Sequence, residues 1–431
     1  MLTKKSLRTI LFTFAVISAF WWSQNGAARY INGPGLSLTN SDPVIGSPFN
    51  ISTGSIDEAW PAVAYNPVDR EYLVVWSNLR ATNDIYAQRI SEQGKLLSWF
   101  YVANGEVPAV AYNEKNNTYL VVYYKYVGND FDVYARRINF AGPTSPEFPV
   151  AFNLSENEIL PSVAYNMHPS HDEFLIVWQN NVTQPSITKN IEAQRVAGTA
   201  GGGNGGGDTI GGRIPVAVSS DINYEPDVTY NLNMNEYMTV YTRIGSSLDV
   251  YGRRITGGGV LLAETPIDTS GNDQHNPTVA AYHLNTANPY LVVFTDTWND
   301  AAGDVRGYLV DQQGQPVLLI NIATTQGQRE YEPAIDQSKA WGGYMVTWTQ
   351  GPISDLDIFG MRVSEIGVTH PEFDISHNGT VPMACDRAAS DIGLGNTATL
   401  AVWSDDCGSA GGLDILGRML GYRVNLPLTI R

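Results

Sequence analysis

Hydrophobic and polar positions fall into blocks along this chain, and the blocks recur. Pro61–Asn66 (PAVAYN) mixes apolar and small residues, a polar stretch follows, and Tyr72–Trp76 (YLVVW) is apolar throughout. Asp84–Ile90 (DIYAQRI) then alternates. An unbroken apolar run predicts a strand covered on both faces, whereas alternation predicts one packed face and one wetter face. The proline-led block returns at Pro108, Pro161, Pro226, Pro277, Pro333 and Pro382, so the anchors stand 47, 53, 65, 51, 56 and 49 residues apart. Each apolar run ends in an aromatic: Trp76, Tyr123, Trp178, Tyr241, Phe294, Trp348 or Trp403. The alternating block returns as DVYARRI, NIEAQRV, DVYGRRI, DVRGYLV, DIFGMRV and DILGRML. A fourth stretch follows a glycine turn, as in GKLLSWFYVAN and GVLLAETPIDTS.

β-branched and aromatic residues bounded by Gly, Asn, Asp and Pro mark each block as a strand. Four strands in roughly 50 residues, without a helical period anywhere, describe a propeller blade. The expected fold is therefore all-β, a seven-bladed β-propeller with four antiparallel strands per blade, spanning residues 29–431 as one domain. The third phrase always has Ala or Gly at its fourth position (Ala87, Ala135, Ala193, Gly252, Gly307, Gly360, Gly417), a notch expected to lie under the aromatic of the second phrase. SPFNIS at 47–52 is similar to PEFDIS at 371–376, so the N-terminal segment is expected to supply the last outer strand, with the tail YRVNLPLTIR as its competitor. The glycine run Ala197–Gly212 reads as a flexible connection.

Composition adds location and partners. Lys4, Lys5 and Arg8 precede an apolar run, Thr9–Trp22, and small residues end at Ala28. That order predicts a signal peptide over 1–28, and the run falls short of the roughly 20 residues a span needs. A secreted or cell-surface protein (extracellular or periplasmic) is expected, not inserted in the membrane once the signal is removed; an uncleaved anchor is the alternative. The balance of 26 basic against 43 acidic residues gives a net charge of −17. Such a surface repels nucleic acid and anionic membrane and favours cations, basic partners or neutral glycans. A monomer is expected. The two cysteines, Cys385 and Cys407, fit a disulfide in an exported chain, with two buried thiols as the alternative.

The order PAVAYNP, YLVVWS, NDIYAQRI resembles the TolB-like, PD40-type propeller repeat, from about Pro61 to Leu420. The chain departs from it by Asn in place of the Pro-Asp-Gly turn and by a recurrent Arg in the third phrase. The resemblance implies a propeller, mostly a binding module in that family. The matched residues form the fold, so it transfers no functional residue.

Recognisable catalytic motifs are missing. There is no Ser-x-Asp-x-Gly-x-Thr-Trp turn, and CGSAGG at 407–412 lacks the first glycine of a nucleophile elbow. His168 and His171 form the one close histidine pair, too little for zinc. Asp84, Asp132, Asp249, Asp304, Asp357 and Asp414 recur with the repeat, so they are expected to cap turns. Arg89, Arg137, Arg195, Arg254 and Arg362 recur likewise and are expected to pair with carboxylates. Residues that differ between repeats carry more information. Loops leading into the first strands contribute Glu58, Trp60, Glu106, Glu158, Tyr224, Glu225, Glu330, Tyr331 and Glu332, and loops leaving the second strands add Asp296, Trp298, Asp300, Asp405 and Asp406. Carboxylates interleaved with aromatics suit a ligand-binding face for a glycan or protein, with no cofactor required. They also offer oxygens to Ca²⁺. The leading expectation is non-catalytic recognition. The alternatives are a glycosidase-like enzyme with paired carboxylates in the funnel, or a structural cell-surface scaffold.

Overall fold

The computed structural model describes residues 46–421 except 55, 80–82, 154–155, 183–187, 202–207, 219–220, 298–301, 339–341, 353–354, 378–386, 397 and 407–411. The signal segment 1–28, the tail after Gly421, Pro382, Cys385 and Cys407 therefore lie outside the described residues, as do Trp298 and Asp300 among the expected ligand residues.

Every regular element among the described residues is a strand. In the first repeat Glu58–Asn66, Glu71–Asn78, Asp84–Ser91 and Leu96–Asn104 pair antiparallel in chain order. The same order starts again from Glu106–Asn113, Glu156–Tyr165, Ile222–Asn231, Gln274–Ala281 and Arg329–Ser338. The third and fourth sheets touch through a single parallel bridge, Lys189 to Ile222. In the last sheet Arg387–Leu394, Ala398–Asp405 and Asp414–Gly421 take their fourth strand from Phe49–Ser52. The chain's beginning thus completes its final sheet. Each inner strand lies beside the next, and the last lies beside the first, so the sheets form a closed β-propeller ring around a central cavity.

The second strands, such as Glu71–Asn78 and Ala398–Asp405, are buried throughout. The third strands alternate, as Asp84–Ser91 does. Both follow from sheets stacked face against face, in which a second strand has neighbours on either side. Each apolar cluster draws on two adjoining sheets; Ile51, Val63, Val74, Leu400 and Ile415, for example, join the last sheet to the first. The notch has a different neighbour from the expected aromatic. A Cβ at Gly252 would meet Met238 Cε at 2.5 Å, and one at Gly417 would meet Ile51 Cδ1 at 2.7 Å. Side chains of the same sheet, Phe373 at Gly360 among them, fill the notch at these positions.

The proline anchors sit at a bulge. The register slips between Ala59 and Ala62, and at the same place in the other first strands. The residue before each proline has a left-handed backbone: Trp60, Val107, Leu160, Glu225, Asn276 and Glu332, with φ between 46° and 55°. None is glycine, so each position is strained by about 1–3 kcal/mol. The bulge in the last repeat lies between Ala388 and Asp391. Ser390 there takes the place expected for Pro382. Departing from the Pro-Asp-Gly turn, Asn66, Asn113 and Asn231 accept backbone N–H bonds from the residues two and three further on, a side-chain mimic of a backbone turn.

The recurrent arginines serve the ring. Arg89, Arg195 and Arg254 pair with Glu71, Glu173 and Glu236 of their own sheets, at 2.8, 3.1 and 3.2 Å. Each also donates to a carbonyl of the next repeat: Phe140, Gly258 and Gln312.

Candidate functional site

The expected acidic rim divides in two. Glu58, Glu158, Glu330, Asp296 and Asp405 are buried. Side chains alternate along a strand and the bulge resets the alternation, so a residue three before the proline faces the neighbouring sheet and not the loop end. Glu158 accepts from Arg213 at 3.0 Å, Asp296 pairs with Arg306 at 2.9 Å, and Asp405 accepts the Trp403 indole at 3.2 Å. Glu330 accepts the Thr325 amide at 3.0 Å, and burial still pushes its carboxyl up to about 7. Glu158, Asp296 and Asp405 thus bond within their own sheets. The other half stays near the bulge: Trp60, Glu106, Tyr224, Glu225, Tyr331 and Glu332 are partly or openly accessible, and Asp406 is exposed. Glu225 accepts from Thr242 and the Asn276 amide, and Glu106 accepts from Tyr124.

None of the expected residues among those described lines the central cavity of about 580 Å³. That cavity is walled by inner strands and by residues of the turns that follow them, such as Pro67, Glu114, Met167 and Asn396. Three aspartates not singled out from the sequence face it: Asp227, Asp336 and Asp391. Burial, with Asp336 and Asp227 adding repulsion, pushes Asp391 up to about 7. Each makes a staple between neighbouring inner strands. Asp391 accepts the Val63 amide at 2.8 Å, Asp227 the Val279 amide at 2.9 Å, and Asp336 the Leu394 amide at 3.0 Å. Inner strands are sheet edges, and their unpaired N–H groups need such acceptors.

A second opening, about 470 Å³, lies where the first sheet faces the strand Phe49–Ser52 of the last. Sheets arranged in a ring diverge outward, so their outer halves gape unless large side chains fill the gap. Here Trp76, Tyr86 and Trp99 form one wall, and Ile51, Ser52, Thr53 and Gly54 form the other. The rings make a ladder: Trp76 to Tyr86 is 6.3 Å, Tyr86 to Trp99 5.9 Å and Tyr86 to Tyr101 5.8 Å between centroids. Trp99 is 65% exposed and Tyr101 46%. At the inner end stand Glu58 and Asn78, 4% and 7% exposed. Glu58 Oε1 accepts from Ser52 at 2.7 Å. Glu58 Oε2, Asn78 Oδ1 and Trp76 Nε1 are buried without a hydrogen-bond partner among the described residues. Burial raises the Glu58 carboxyl, and the Ser52 hydroxyl and the nearby Trp76 indole oppose the shift. Orphaned buried polar atoms are costly. A ligand bringing donors and an acceptor relieves that cost.

Of the groove residues, the sequence pointed to Glu58 for its acidity and to Trp76 for its place in the repeat. The signal it carried and that went unused is SWFY at 98–101, a run of three aromatics with no counterpart in the other fourth strands.

A further grouping joins Asp357, Asp374 and His377, whose ligand atoms lie within 4.8 Å of one another. Two carboxylates and an imidazole are too few oxygens for Ca²⁺, and Asp374 already engages His377 at 2.5 Å.

No protein-family model matches the sequence, and no curated protein does. Among solved structures, a protein of unknown function from Dyadobacter fermentans is similar at 11% identity, covering 88% of this chain and 100% of its own, with a TM-score of 0.46. The Dos1 propeller aligns at 10% identity over 87% of this chain and 94% of its own, with a TM-score of 0.47. A family-43 endo-arabinanase from Bacillus licheniformis aligns at 11% identity over 63% of this chain and 100% of its own, with a TM-score of 0.33. At these distances none lends a residue or an activity to this chain.

Proposed function

We propose that this chain is an exported, monomeric, seven-bladed propeller that recognises a glycan, without catalysis, through the groove of its first blade. The observation that carries this reading is the aromatic wall Trp76–Tyr86–Trp99, open to solvent at Trp99, beside buried polar atoms of Glu58 and Asn78 without a hydrogen-bond partner among the described residues. Aromatic faces stack on the C–H faces of sugar rings, while a few fixed polar groups select hydroxyl orientation. The groove has the size of an ordinary small-ligand site. The bulge residues Trp60, Glu106, Tyr224, Glu225, Tyr331 and Glu332, with Asp406, then form a solvated rim and not the principal contact.

A glycan array probed with the full chain tests the reading. Binding is expected to be lost in Trp99→Ala and unchanged by chelation of Ca²⁺; silence across the array sinks it. Amino-terminal sequencing of the secreted product is expected to begin after Ala28.

A glycosidase in the central cavity is the second reading, and Asp391 is what favours it. Its carboxyl, raised to about 7 near Asp336 and Asp227, resembles the divided titration of an acid–base pair. The staple bonds of all three aspartates account for them without catalysis. Polysaccharide turnover abolished by Asp391→Asn in a folded protein would reverse that judgement.

A further inference from the structure

Four other repeats fill the same gap with a cation. Lys125 lies 3.9 Å from the centroid of Tyr134 and pairs with Glu147. Arg213 lies 5.8 Å from Trp178 and donates to Glu158 at 3.0 Å. Arg243 lies 4.1 Å from Tyr251 and pairs with Glu264 at 2.7 Å. Arg306 sits between Asp296 and Asp304 at 2.9 and 2.8 Å.

The registers make these positions equivalent. Lys125 and Arg243 each follow their repeat's second-strand aromatic by two residues, as Asn78 follows Trp76. Arg213 precedes Ile214, the partner of Ala193, as Trp99 precedes Phe100, the partner of Ala87. Glu158 opposes Asn180 as Glu58 opposes Asn78. The first repeat therefore keeps the carboxylate of the third repeat, with an aromatic wall beside it. At the three places from which other repeats supply the cation it has Asn78, Trp99 and Tyr86, the last opposing Trp76 as Arg306 opposes Phe294.

We propose that the groove supplies this missing partner from its ligand, and that the ligand is an amino sugar whose ammonium seats beside Glu58. This rests on the glycan reading above and names the sugar class. An ammonium has three donors and no acceptor. Glu58 Oε2 and Asn78 Oδ1 are two acceptors without partners among the described residues, as Glu158 Oε2 and Asn180 Oδ1 are beside Arg213, so the open slot and not the orphaned atoms sets the first repeat apart; its aromatic wall offers π faces to the same cation. A neutral hydroxyl can bond these oxygens but leaves the buried carboxylate uncompensated. The sugar ring carrying the amine stacks outward on Trp99.

Calorimetric titration of the full chain at pH 6 with three β-1,4 tetrasaccharides, of glucosamine, N-acetylglucosamine and glucose, separates the possibilities. The glucosamine tetramer is expected to bind at least tenfold tighter than the other two, as a charge-assisted bond supplies. Glu58→Gln should remove that preference while leaving weak binding of all three, and Trp99→Arg should abolish binding. Arg80→Ala, titrated in parallel, removes the cation that the sequence places two residues beyond Asn78; tighter glucosamine binding there, lost again with Glu58→Gln, also supports the proposal. Equal affinity for all three sugars overturns the amino-sugar inference and leaves the glycan reading standing. A glucosamine preference that survives Glu58→Gln marks non-specific attraction to an acidic surface and overturns it too. Binding of none, in either the wild type or Arg80→Ala, overturns both readings, as does binding only of a lysine-rich peptide.

Discussion

The first and third repeats place a glutamate at the same point of the sheet and surround it differently. Glu158 meets Arg213, which lies over Trp178. Glu58 meets Ser52 and an open groove walled by Trp76, Tyr86 and Trp99. The indoles of Trp348 and Trp403 donate to Gln350 and Asp405 two residues on, a bond that neither Trp76 nor Trp178 makes, so the first and third repeats differ in the cation and not in these indoles. A ring of near-identical sheets can thus build a site where one copy leaves open a slot that others fill. The gap between sheets exists in every repeat, and only its contents change.

The largest effect expected from this contrast is in a covered slot. Arg306→Met leaves Asp296 and Asp304 buried without their cation, a loss of about 3–5 kcal/mol on the pattern of broken buried pairs. Trp99→Ala, at a side chain mostly in solvent, should cost less than about 1 kcal/mol. Urea unfolding of the two variants measures both. Equal losses would erase the distinction between filled and open slots.

A smaller effect, of opposite sign at Glu58 and at Glu264 of the fourth repeat, is expected from pH. Burial pushes the Glu264 carboxyl up, but hydrogen bonds from Arg243 and Tyr241 outweigh it and hold it below its ordinary value. Its contribution to stability is present above the unfolded value near 4.3 and lost as pH falls through the lower folded one. Glu264→Gln should therefore destabilise by roughly 1 kcal/mol at pH 7 and progressively less toward pH 3. Glu58 is raised, so its protonated form is the favoured one in the fold, fully so below about 4.3, and that contribution is lost as pH rises through the folded value. Glu58→Gln should match the wild type at pH 3 and equal or exceed it in stability at pH 7. Thermal unfolding across that range checks the crossing, and parallel profiles would break the comparison.

The smallest change is a graft. Trp99→Arg places in the first repeat the residue that the third has at the same register position, Arg213. It should pair with Glu58 and alter stability by no more than about 1 kcal/mol, since it trades an exposed aromatic for a partly buried ion pair. A tryptophan-fluorescence melt reads it, and a collapse of the fold would show that the two slots are not equivalent.

Much of the architecture was legible because each sheet must fit two like neighbours, so its strand phrases repeat. The fully apolar YLVVW marked a strand covered on both faces, and the recurrent arginines marked ties within and between sheets. Closure by Phe49–Ser52 was legible from its likeness to the other fourth strands. The seventh anchor was misplaced because Ser390 occupies the bulge without a proline to announce it. The acidic residues ahead of each anchor misled for a geometric reason. A bulge changes which way a side chain points, and no composition rule reveals that Glu58 faces a neighbouring sheet while Trp60 reaches solvent.

By itself, then, the sequence determined an all-β repeat, its strand order and its strongly acidic character. Those are local or periodic properties, written in alternation, turn residues and charge. Only the tertiary structure decided where a ligand can bind. Ser52, Glu58, Trp76 and Trp99 come from four different strands, one of them at the start of the chain and paired into the last sheet. They meet because the ring closes, and the register of the strands then sets which side chains share the gap.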